Sequence, residues 1–376
     1  MDTKKLGFGL MRLPRTDPND NTAIDLSCAK TMADTFLERG FTYFDTAWMY
    51  HGGASERAVR ELLTSRHPRD SYTVATKLHP GFVKSKEDRD RIFNEQLERT
   101  GAGYFDYYLL HSMNAEYDTL FDTYDCYNWL VEKKRQGLVR HIGFSFHDTA
   151  EVLERVLSAH PEMEFVQLQL NYLDWDSEDV QSRLCYETAR RHGKPVIVME
   201  PVKGGTLANL PPAAETLLRE IHPDWSPASW AVRFAAGLDG VFMVLSGMSN
   251  MEQLLDNTAY MADAAPLTEA ELAALRQVVT ILRADGAISC TGCGYCVDGC
   301  PQNIAIPRCF SLYNEDKRQD PDEQTDWTPP FSYYEILIKN NGKASDCIGC
   351  GLCKEVCPQH LDIPTLLGRV ATRFEE

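Results

Sequence analysis

Eight of the twelve cysteines in this 376-residue sequence lie in two runs that share one spacing. Each run has three cysteines separated by two residues, then a fourth cysteine after three more residues, then proline. The runs are CTGCGYCVDGCP, which begins at Cys290, and CIGCGLCKEVCP, which begins at Cys347. Thiolates repeated this closely are ligands for metal ions or iron-sulfur clusters. A pair of structural zinc sites or a disulfide scaffold is the alternative, although zinc sites usually show separated cysteine pairs.

The C-x2-C-x2-C-x3-C-P spacing resembles the two-cluster ferredoxin domain of bacteria, with a longer connection between the two runs. In that arrangement the fourth cysteine of each run ligates the other cluster. We therefore predict two 4Fe-4S clusters, each held by three cysteines of one run and the fourth of the other. The first cysteine set is Cys290, Cys293, Cys296 and Cys357, and the second cysteine set is Cys347, Cys350, Cys353 and Cys300.

A second group of polar residues recurs at a nearly constant interval toward the N-terminus. Asp45, Lys77, His111 and Ser145 are about 32 to 34 residues apart, and each ends an apolar run. One strand and its following helix take roughly that length, so these side chains should lie on the C-terminal rim of consecutive parallel strands. Tyr50 follows the first of them closely.

These residue types suit the reduction of a carbonyl by hydride transfer. Negative charge develops on the carbonyl oxygen, so a proton donor must lie beside it, and Tyr50 can be that general acid. A nearby cation, Lys77, would stabilise the phenolate and make the phenol a stronger acid. Asp45 can hold the lysine, and His111 can orient the carbonyl oxygen with a hydrogen bond.

The elements that must position these residues are strands alternating with amphipathic helices as far as about residue 260. Eight strand signals are predicted: Leu6–Gly9, Tyr43–Asp45, Tyr72–Lys77, Tyr107–His111, Val139–Ser145, Phe165–Leu170, Pro195–Glu200 and Gly240–Ser246. A Rossmann sheet would need G-x-G-x-x-G after its first strand, and Gly7-Phe8-Gly9 lacks the third glycine. The fold class is therefore α/β, a TIM (β/α)8 barrel with a C-terminal ferredoxin-like iron-sulfur domain. We expect the barrel over residues 1–265, a connecting helix over 266–286 and the cluster domain over 287–376.

Four local motifs in the barrel region resemble those of the aldo/keto reductase family. They read DTAWMY from Asp45, GASE from Gly53, ATK from Ala75 and YYLLH from Tyr107. The resemblance spans about residues 5–260 and implies a TIM barrel with a nicotinamide site that prefers NADP. It also implies a catalytic tetrad, which here is Asp45, Tyr50, Lys77 and His111.

The resemblance extends less closely to the cofactor site at the strand ends. Ser145 and Gln167 match the two residues that bind the nicotinamide carboxamide in the family. Phe146 stands where the family commonly has asparagine. Met199 stands where a tyrosine commonly stacks on the nicotinamide ring, and a thioether packs on that ring less rigidly.

A segment after the eighth predicted strand resembles the family's phosphate and adenine site. Its matching residues are Gly247, Ser249, Gln253 and Asn257, at a predicted helix N-terminus that can receive phosphate. Gly247 and Gln253 occupy the places of the lysine and arginine that often hold a 2′-phosphate. Lys203 could reach the pyrophosphate from another loop, so the choice between NADP and NAD stays open.

Composition limits the partners. Lys+Arg 38 against Asp+Glu 55 gives a net charge of −17, which repels nucleic acid and anionic lipid. No apolar run has the length of a signal peptide or a membrane helix. We expect a cytoplasmic enzyme that acts on a small carbonyl or alcohol, with a redox partner protein presenting a basic face. Reducing conditions there would also disfavour disulfides.

The two halves together raise a question of electron counting. Nicotinamide moves two electrons as a hydride, whereas each cluster carries one. A flavin commonly bridges that difference, yet the sequence has no flavin motif. A nicotinamide-dependent carbonyl reductase or alcohol dehydrogenase with electron-transferring clusters is the leading hypothesis. The alternatives are an electron-transfer protein whose barrel serves for docking or sensing, a flavin-linked reductase, and clusters with a purely structural role.

Overall fold

The structure is a computed structural model that describes residues 4–17, 20–178, 180–284, 286–317 and 328–375. Eight parallel strands pair in chain order and close into a barrel, because β8 pairs with β1. The strands are β1 (Leu6–Gly9), β2 (Tyr43–Asp45), β3 (Thr73–Leu78), β4 (Phe105–Met113), β5 (Val139–Phe146), β6 (Phe165–Gln169), β7 (Val196–Met199) and β8 (Val241–Ser246). The predicted TIM barrel is confirmed.

Helices follow the strands, as the alternating pattern predicts. Up to the end of the barrel they are α1 (Leu26–Glu38), α2 (Ala54–Val59), α3 (Lys86–Thr100), α4 (Ala115–Thr123), α5 (Cys126–Arg135), α6 (Ala150–Ala159), α7 (Ser182–Arg191), α8 (Pro212–Ile221), α9 (Pro227–Ala236) and α10 (Met251–Tyr260). The later helices are α11 (Glu269–Ala284), α12 (Ile306–Lys317), α13 (Pro329–Leu337), α14 (Leu352–Glu355) and α15 (Ile363–Phe374). The sequence pattern predicts α7 from Ser177, but the helix begins at Ser182 because Gln181 has φ 52° and cannot continue it.

The strand period explains why the polar residues share one rim. The barrel interior is filled by a buried cluster of strand residues: Tyr43, Ala75, Leu109, Phe165, Ile197, Met243 and Leu245. Side chains two residues apart on a strand point the same way. Asp45, Lys77, His111, Gln167 and Met199 each lie two residues beyond a member of this cluster, toward the carboxyl end of its strand. They therefore belong to the layer above the apolar core.

Contacts divide the chain into two compact units. Unit 1 comprises residues Met1–Pro201 and Ser229–Leu267, and unit 2 comprises Val202–Ala228 and Thr268–Glu376. All eight strands are in unit 1. The domain boundaries predicted at residues 265 and 286 stay a prediction.

Unit 2 has its own apolar core and a helix pair. Phe310, Tyr313 and Leu367 are among its buried residues, and five of the eight cysteines in the two runs pack against this core. Helices α8 and α11 pack against each other, and His222 Nε2 at the end of α8 lies 2.6 Å from Glu271 Oε1 in α11. Unit 2 is thus a folded body that includes a segment from the middle of the sequence.

A polar connection between the two cysteine runs, residues 314–330, is predicted to be exposed. Its residues 318–327 lie outside the described part of the chain. Its described ends contradict the prediction, because Asp316 and Thr328 are buried. Thr328 Oγ1 donates to Asp316 Oδ1 at 2.6 Å, and Arg373 Nε donates to Asp316 Oδ2 at 2.7 Å. These partners replace the hydration that the polar residues lose.

Within the described residues, no helix combines the length and the apolar character that crossing a membrane requires.

Candidate active site and candidate cluster-binding cysteines

Asp45 and Lys77 form a buried ion pair at the carboxyl ends of β2 and β3. Lys77 Nζ lies 2.6 Å from Asp45 Oδ1 and donates to Thr46 O at 2.7 Å. Burial lowers the pKa of Lys77 and raises the pKa of Asp45, while their mutual attraction opposes both shifts. The short separation and the second hydrogen bond hold the ammonium in one position.

Tyr50 brings its hydroxyl to the same point from the turn that follows β2. Its hydroxyl oxygen lies 3.4 Å from Lys77 Nζ. The turn contains His51 at φ 52°, an unusual conformation for a residue with a side chain. The imidazole fixes it, since its Nε2 accepts from Leu13 N at 3.2 Å and its Nδ1 lies 2.7 Å from Asn21 O. Tyr50 therefore lies in a turn whose conformation is held by the hydrogen bonds of His51.

The pKa of Tyr50 is raised well above its ordinary value, mainly by burial and then by the charges of Asp45 and Glu200. Sequence reasoning expected Lys77 to lower this pKa. Burial dominates instead, and the cation that opposes it is Arg12. The phenol consequently keeps its proton at neutral pH.

His111, at the end of β4, completes the group. Its ring centre lies 6.0 Å from that of Tyr50 and 5.2 Å from that of His79. Burial lowers the pKa of His111 well below its ordinary value, and the charge of the nearby Lys77 lowers it further. Its Nδ1 is buried and has no hydrogen-bond partner among the described residues. A neutral imidazole here can donate or accept one hydrogen bond to a bound molecule.

Aromatic rings pack around His79, which neighbours His111. His79 packs edge-on against Phe82 and Tyr117, with ring centres 5.6 and 6.3 Å apart. Trp48 lies 6.1 Å from Phe82. Burial lowers the pKa of His79 to about 4, so this wall is uncharged at neutral pH. Such a wall suits an apolar or planar substrate group.

A buried carboxylate, that of Glu56, belongs to a hydrogen-bond network that reaches the backbone of Lys77. Glu56 Oε1 accepts from Thr76 Oγ1 at 2.8 Å and from Gln96 Nε2 at 2.7 Å. Gln96 Nε2 also lies 3.0 Å from Lys77 O, so α3 and β3 are tied together at the site. Sequence reasoning gave neither Glu56 nor Gln96 a role. The sequence feature that could have indicated this network is a glutamine, Gln96, on the buried face of α3.

Of the predicted carboxamide contacts, Ser145 lies one residue before the end of β5 and Gln167 lies at the middle of β6. Ser145 Oγ accepts from Ser112 N at 2.9 Å. Gln167 Nε2 lies 3.4 Å from Met199 Sδ, whereas Gln167 Oε1 is buried without a hydrogen-bond partner among the described residues. An unsatisfied buried carbonyl is costly, and an amide N–H of a ligand would satisfy it. Met199 lies beside Gln167, and its predicted packing on a nicotinamide ring stays a prediction.

The predicted phosphate segment is internally hydrogen-bonded. Asn257 Nδ2 donates to Ser246 Oγ at 2.7 Å, and Ser249 N donates to Gln253 Oε1 at 2.7 Å. The side chain of Asn250 caps α10. An anion at this helix N-terminus would compete with Gln253 for the Ser249 amide.

A cation that sequence reasoning missed lies beside this segment. Arg12, in the turn after β1, is 3.7 Å from Glu200 in an ion pair. A Cβ placed on Gly247 would meet Arg12 Cδ at 3.1 Å. Arg12 therefore supplies positive charge next to the position where the usual basic residue is absent. No motif marks it in the sequence.

The first cysteine set comes together in unit 2. Burial raises the pKa of the Cys296 thiol. The neighbouring thiols of Cys293, Cys290 and Cys357 raise this pKa further. Gly292 N donates to Cys290 Sγ at 3.4 Å, and Gly292 has φ 66°, which lets the loop turn its amide toward the sulfur. Hydrogen bonds of this kind tune iron-sulfur clusters.

The second cysteine set lines one cavity. Cys300, Cys347, Cys350 and Cys353 all border one cavity in unit 2. Burial raises the pKa of Cys353, and neighbouring thiols raise it further. Four cysteines around one space suit an iron-sulfur cluster, since its iron ions bind thiolates and offset the repulsion between their negative charges. The cavity joins the fourth cysteine of one run to the triplet of the other.

The four remaining cysteines belong to neither set. Cys126, Cys185 and Cys309 are buried and Cys28 is half-buried. Burial raises the pKa of Cys126, Cys185 and Cys309 to about 12 in each case. They behave as small apolar residues, as expected from their lack of spacing.

Lys203 lies in unit 2 rather than with the strand-end residues of unit 1. Its side chain is buried, and its Nζ donates to Gln359 Oε1 at 3.2 Å. Its predicted contact with a pyrophosphate stays a prediction.

Comparison with known proteins gives two family matches. The family model "Aldo/keto reductase family" matches residues 5–280, and the model "4Fe-4S dicluster domain" matches residues 289–361. The "Uncharacterized oxidoreductase YqkF" of Bacillus subtilis is 25% identical over 306 residues, which cover 73% of this chain and 92% of that protein. An aldo-keto reductase of Mycolicibacterium vanbaalenii is 30% identical over 223 residues, covering 59% and 73% of the two chains.

Solved structures agree on the fold. The holo form of aldo-keto reductase AKR11C1 from Bacillus halodurans has a TM-score of 0.57 at 25% identity, covering 73% of this chain and 91% of that one. An aldo/keto reductase from Klebsiella pneumoniae in complex with NADP and acetate has a TM-score of 0.58 at 19% identity, with coverage of 74% and 92%. Together with the family match over residues 5–280, this shows that the chain belongs to the aldo/keto reductase family, with a 4Fe-4S dicluster domain at its C-terminal end.

Proposed function

We propose that this oxidoreductase reduces a carbonyl to an alcohol by hydride transfer from a nicotinamide cofactor, NADP or NAD. The observation that carries the proposal is the convergence of Lys77 Nζ on Asp45 Oδ1 and the Tyr50 hydroxyl at 2.6 and 3.4 Å. Family membership supports the reaction class. The Klebsiella relative bound to NADP supports that cofactor for this chain.

The strand-end residues fit a nicotinamide ring. The free carbonyl of Gln167 suits the carboxamide N–H, Ser145 adds a hydroxyl, and the Met199 thioether can pack on the ring. Bound reduced nicotinamide supplies the hydride, which carries two electrons to the carbonyl carbon. Arg12 can add attraction for the phosphates.

The chain's own residues supply the proton and the orientation. Tyr50, which is protonated at neutral pH, donates its proton to the carbonyl oxygen as the carbon accepts the hydride. Neutral His111 donates a hydrogen bond to the same oxygen and fixes the carbonyl plane. Lys77, held by Asp45, stabilises the phenolate that Tyr50 becomes. A proton from solvent then restores the phenol, so each turnover consumes one hydride and one proton.

For unit 2 we propose two 4Fe-4S clusters, one in each cysteine set, which exchange single electrons with a redox partner protein. The cavity bordered by the second set and the grouped thiols of the first set fit such clusters. The net charge of −17 favours a partner with a basic face, and its binding should weaken with salt. Nothing in the matched families points to a flavin, and we do not propose one.

Tyr50→Phe tests the hydride reaction. General acids contribute about 10² to 10⁴-fold, so kcat for carbonyl reduction should fall by that factor while the fluorescence-measured Kd for NADPH stays the same. Tyr43→Phe is the matched control, because it removes a hydroxyl from the barrel's apolar core and should leave kcat near wild type. Unchanged turnover in Tyr50→Phe would refute the general-acid role. Absence of saturable binding of either nicotinamide would refute the reductase.

A second function, electron transfer with a docking barrel, is favoured by two observations. Met199 replaces the usual stacking tyrosine, and Gln253 already accepts from the Ser249 amide. Anaerobic addition of NADPH to the cluster-loaded protein tests whether the nicotinamide and the clusters are coupled, and reduction of the clusters without any carbonyl turnover would favour the electron-transfer function. Bleaching of the visible cluster absorbance supports coupling of the nicotinamide to the clusters. Carbonyl turnover without bleaching assigns the two halves separate electron paths.

A further inference from the structure

Lys203 is a buried cation in unit 2 and has an unusual backbone conformation. Its φ is 47°, a region that residues with side chains seldom adopt, and the side chain is 1% exposed. Its Nζ donates to Gln359 Oε1 at 3.2 Å, and Gln359 is itself buried. Burying an ammonium and holding a strained φ both cost free energy. The position is therefore tightly determined by its surroundings.

Those surroundings are the two chain segments that carry the first cysteine set. Gln359 lies two residues after Cys357. On the other side, a Cβ placed on Gly204 would lie 2.2 Å from Thr291 O, so the turn after Lys203 presses directly on the residue that follows Cys290. Gly204 has φ 64°, and glycine is required there by both the conformation and the close approach. Lys203 is thus held between the segments that contribute Cys290 and Cys357.

We propose that Lys203 is a positioning residue for electron transfer: its fixed positive charge raises the reduction potential of the cluster in the first cysteine set. The inference rests on the proposed clusters. Reduction adds one electron and one negative charge to a cluster, and a buried cation close by stabilises the reduced form more than the oxidised form. Because the charge is buried, salt screens it little.

Lys203→Met tests this, since it keeps the straight side chain and removes the charge. Anaerobically reconstituted full-length protein is titrated with dithionite, and the two cluster reductions are followed by electron paramagnetic resonance. One of the two should shift to lower potential, with the reduced-to-oxidised ratio falling about tenfold at the wild-type midpoint. For a one-electron couple this is about 59 mV. The other cluster is an internal reference.

Two variants separate charge from packing. Lys203→Arg keeps the charge and should restore the potential toward wild type. Lys354→Met is the matched control, because Lys354 follows the ligand candidate Cys353 but its side chain is 56% exposed. Its effect should be small and should vanish in about 0.5 M salt, whereas the Lys203→Met shift should persist. If Lys203→Met does not retain iron, the double variant Lys203→Met/Gln359→Leu, which also replaces the amide that accepts from Lys203 Nζ, gives the same test.

Each outcome bears on the inference. An unchanged potential in iron-loaded Lys203→Met overturns it, and so does an equal shift in Lys203→Arg, which would make the effect one of packing. Iron missing from the wild-type protein would overturn the proposed clusters and this inference with them. Loss of carbonyl turnover with normal cluster potentials would instead count against the hydride reaction alone.

Discussion

Replacing Asp45 by asparagine should reveal how strongly the site depends on its ion pair. The substitution preserves shape and removes only the negative charge. Lys77, whose side chain is 0% exposed, would then keep a buried ammonium with Thr46 O and the Tyr50 hydroxyl as its nearest neutral partners. The variant therefore measures the free energy of unfolding that is lost when the Lys77 ammonium has no carboxylate beside it.

The magnitude follows from the separation. Two unit charges 2.6 Å apart attract by about 6 kcal/mol at an effective dielectric constant of about 20. In the wild-type protein, desolvation of both groups offsets most of this attraction. In Asp45→Asn the attraction is lost while the desolvation of Lys77 remains. Removing one partner of a buried pair typically costs about 3 to 5 kcal/mol, and we expect the free energy of unfolding to fall by that amount.

Urea unfolding followed by tryptophan fluorescence measures this change through the midpoint and slope. Asp45→Asn/Lys77→Met should recover much of the loss, since it removes the stranded charge as well. Glu61→Gln is the matched control: the exposed pair Lys30–Glu61, at 3.0 Å, should contribute less than about 1 kcal/mol. A loss in Asp45→Asn no larger than in Glu61→Gln would refute the reasoning.

Two further predictions concern pH and metal content. The pKa of His79 is lowered to about 4 in the folded protein, so the unfolded chain takes up a proton first as pH falls through about 6.5. The free energy of unfolding should therefore fall between pH 7 and pH 5 by about 2 kcal/mol more in wild type than in His79→Gln. Urea unfolding at both pH values measures the difference, and equal losses would contradict the lowered pKa of His79. Cys300→Ala should lower bound iron from about eight to about four or five atoms per chain, because it opens the second cysteine set while the first stays complete. Cys309→Ala, a buried thiol of the same unit, should leave iron unchanged, and retention of all iron in Cys300→Ala would refute the assignment of Cys300.

Much of the barrel was predictable because local spacing encodes it. Asp45, Lys77 and His111 end successive strands at one βα interval, and the closed barrel brings such strand ends to one rim. The cysteine runs were predictable for a related reason, since ligand spacing within a tight loop is set by the cluster it wraps. In both cases the functional residues recur at an interval set by a repeating unit, which is one strand and its helix in the barrel and one cysteine loop in the C-terminal part.

Other features depend on contacts between distant segments. Arg12 reaches Glu200 and Gly247 only because β1 lies beside β8 in the closed barrel. The burial of Asp316 depends on Arg373, 57 residues away. Neither partnership has a spacing rule, and the same residues on a different fold would be ordinary surface charges.

The sequence by itself thus determined the alternation of strands and helices, the polar rim and the repeated thiols, since each follows from local periodicity. Only the tertiary structure decided how burial shifts the pKa values of Tyr50 and His111, and that Lys203 lies with Gln359 in unit 2. Desolvation and long-range packing are properties of the surroundings of a side chain. A linear pattern specifies those surroundings only after the chain has folded.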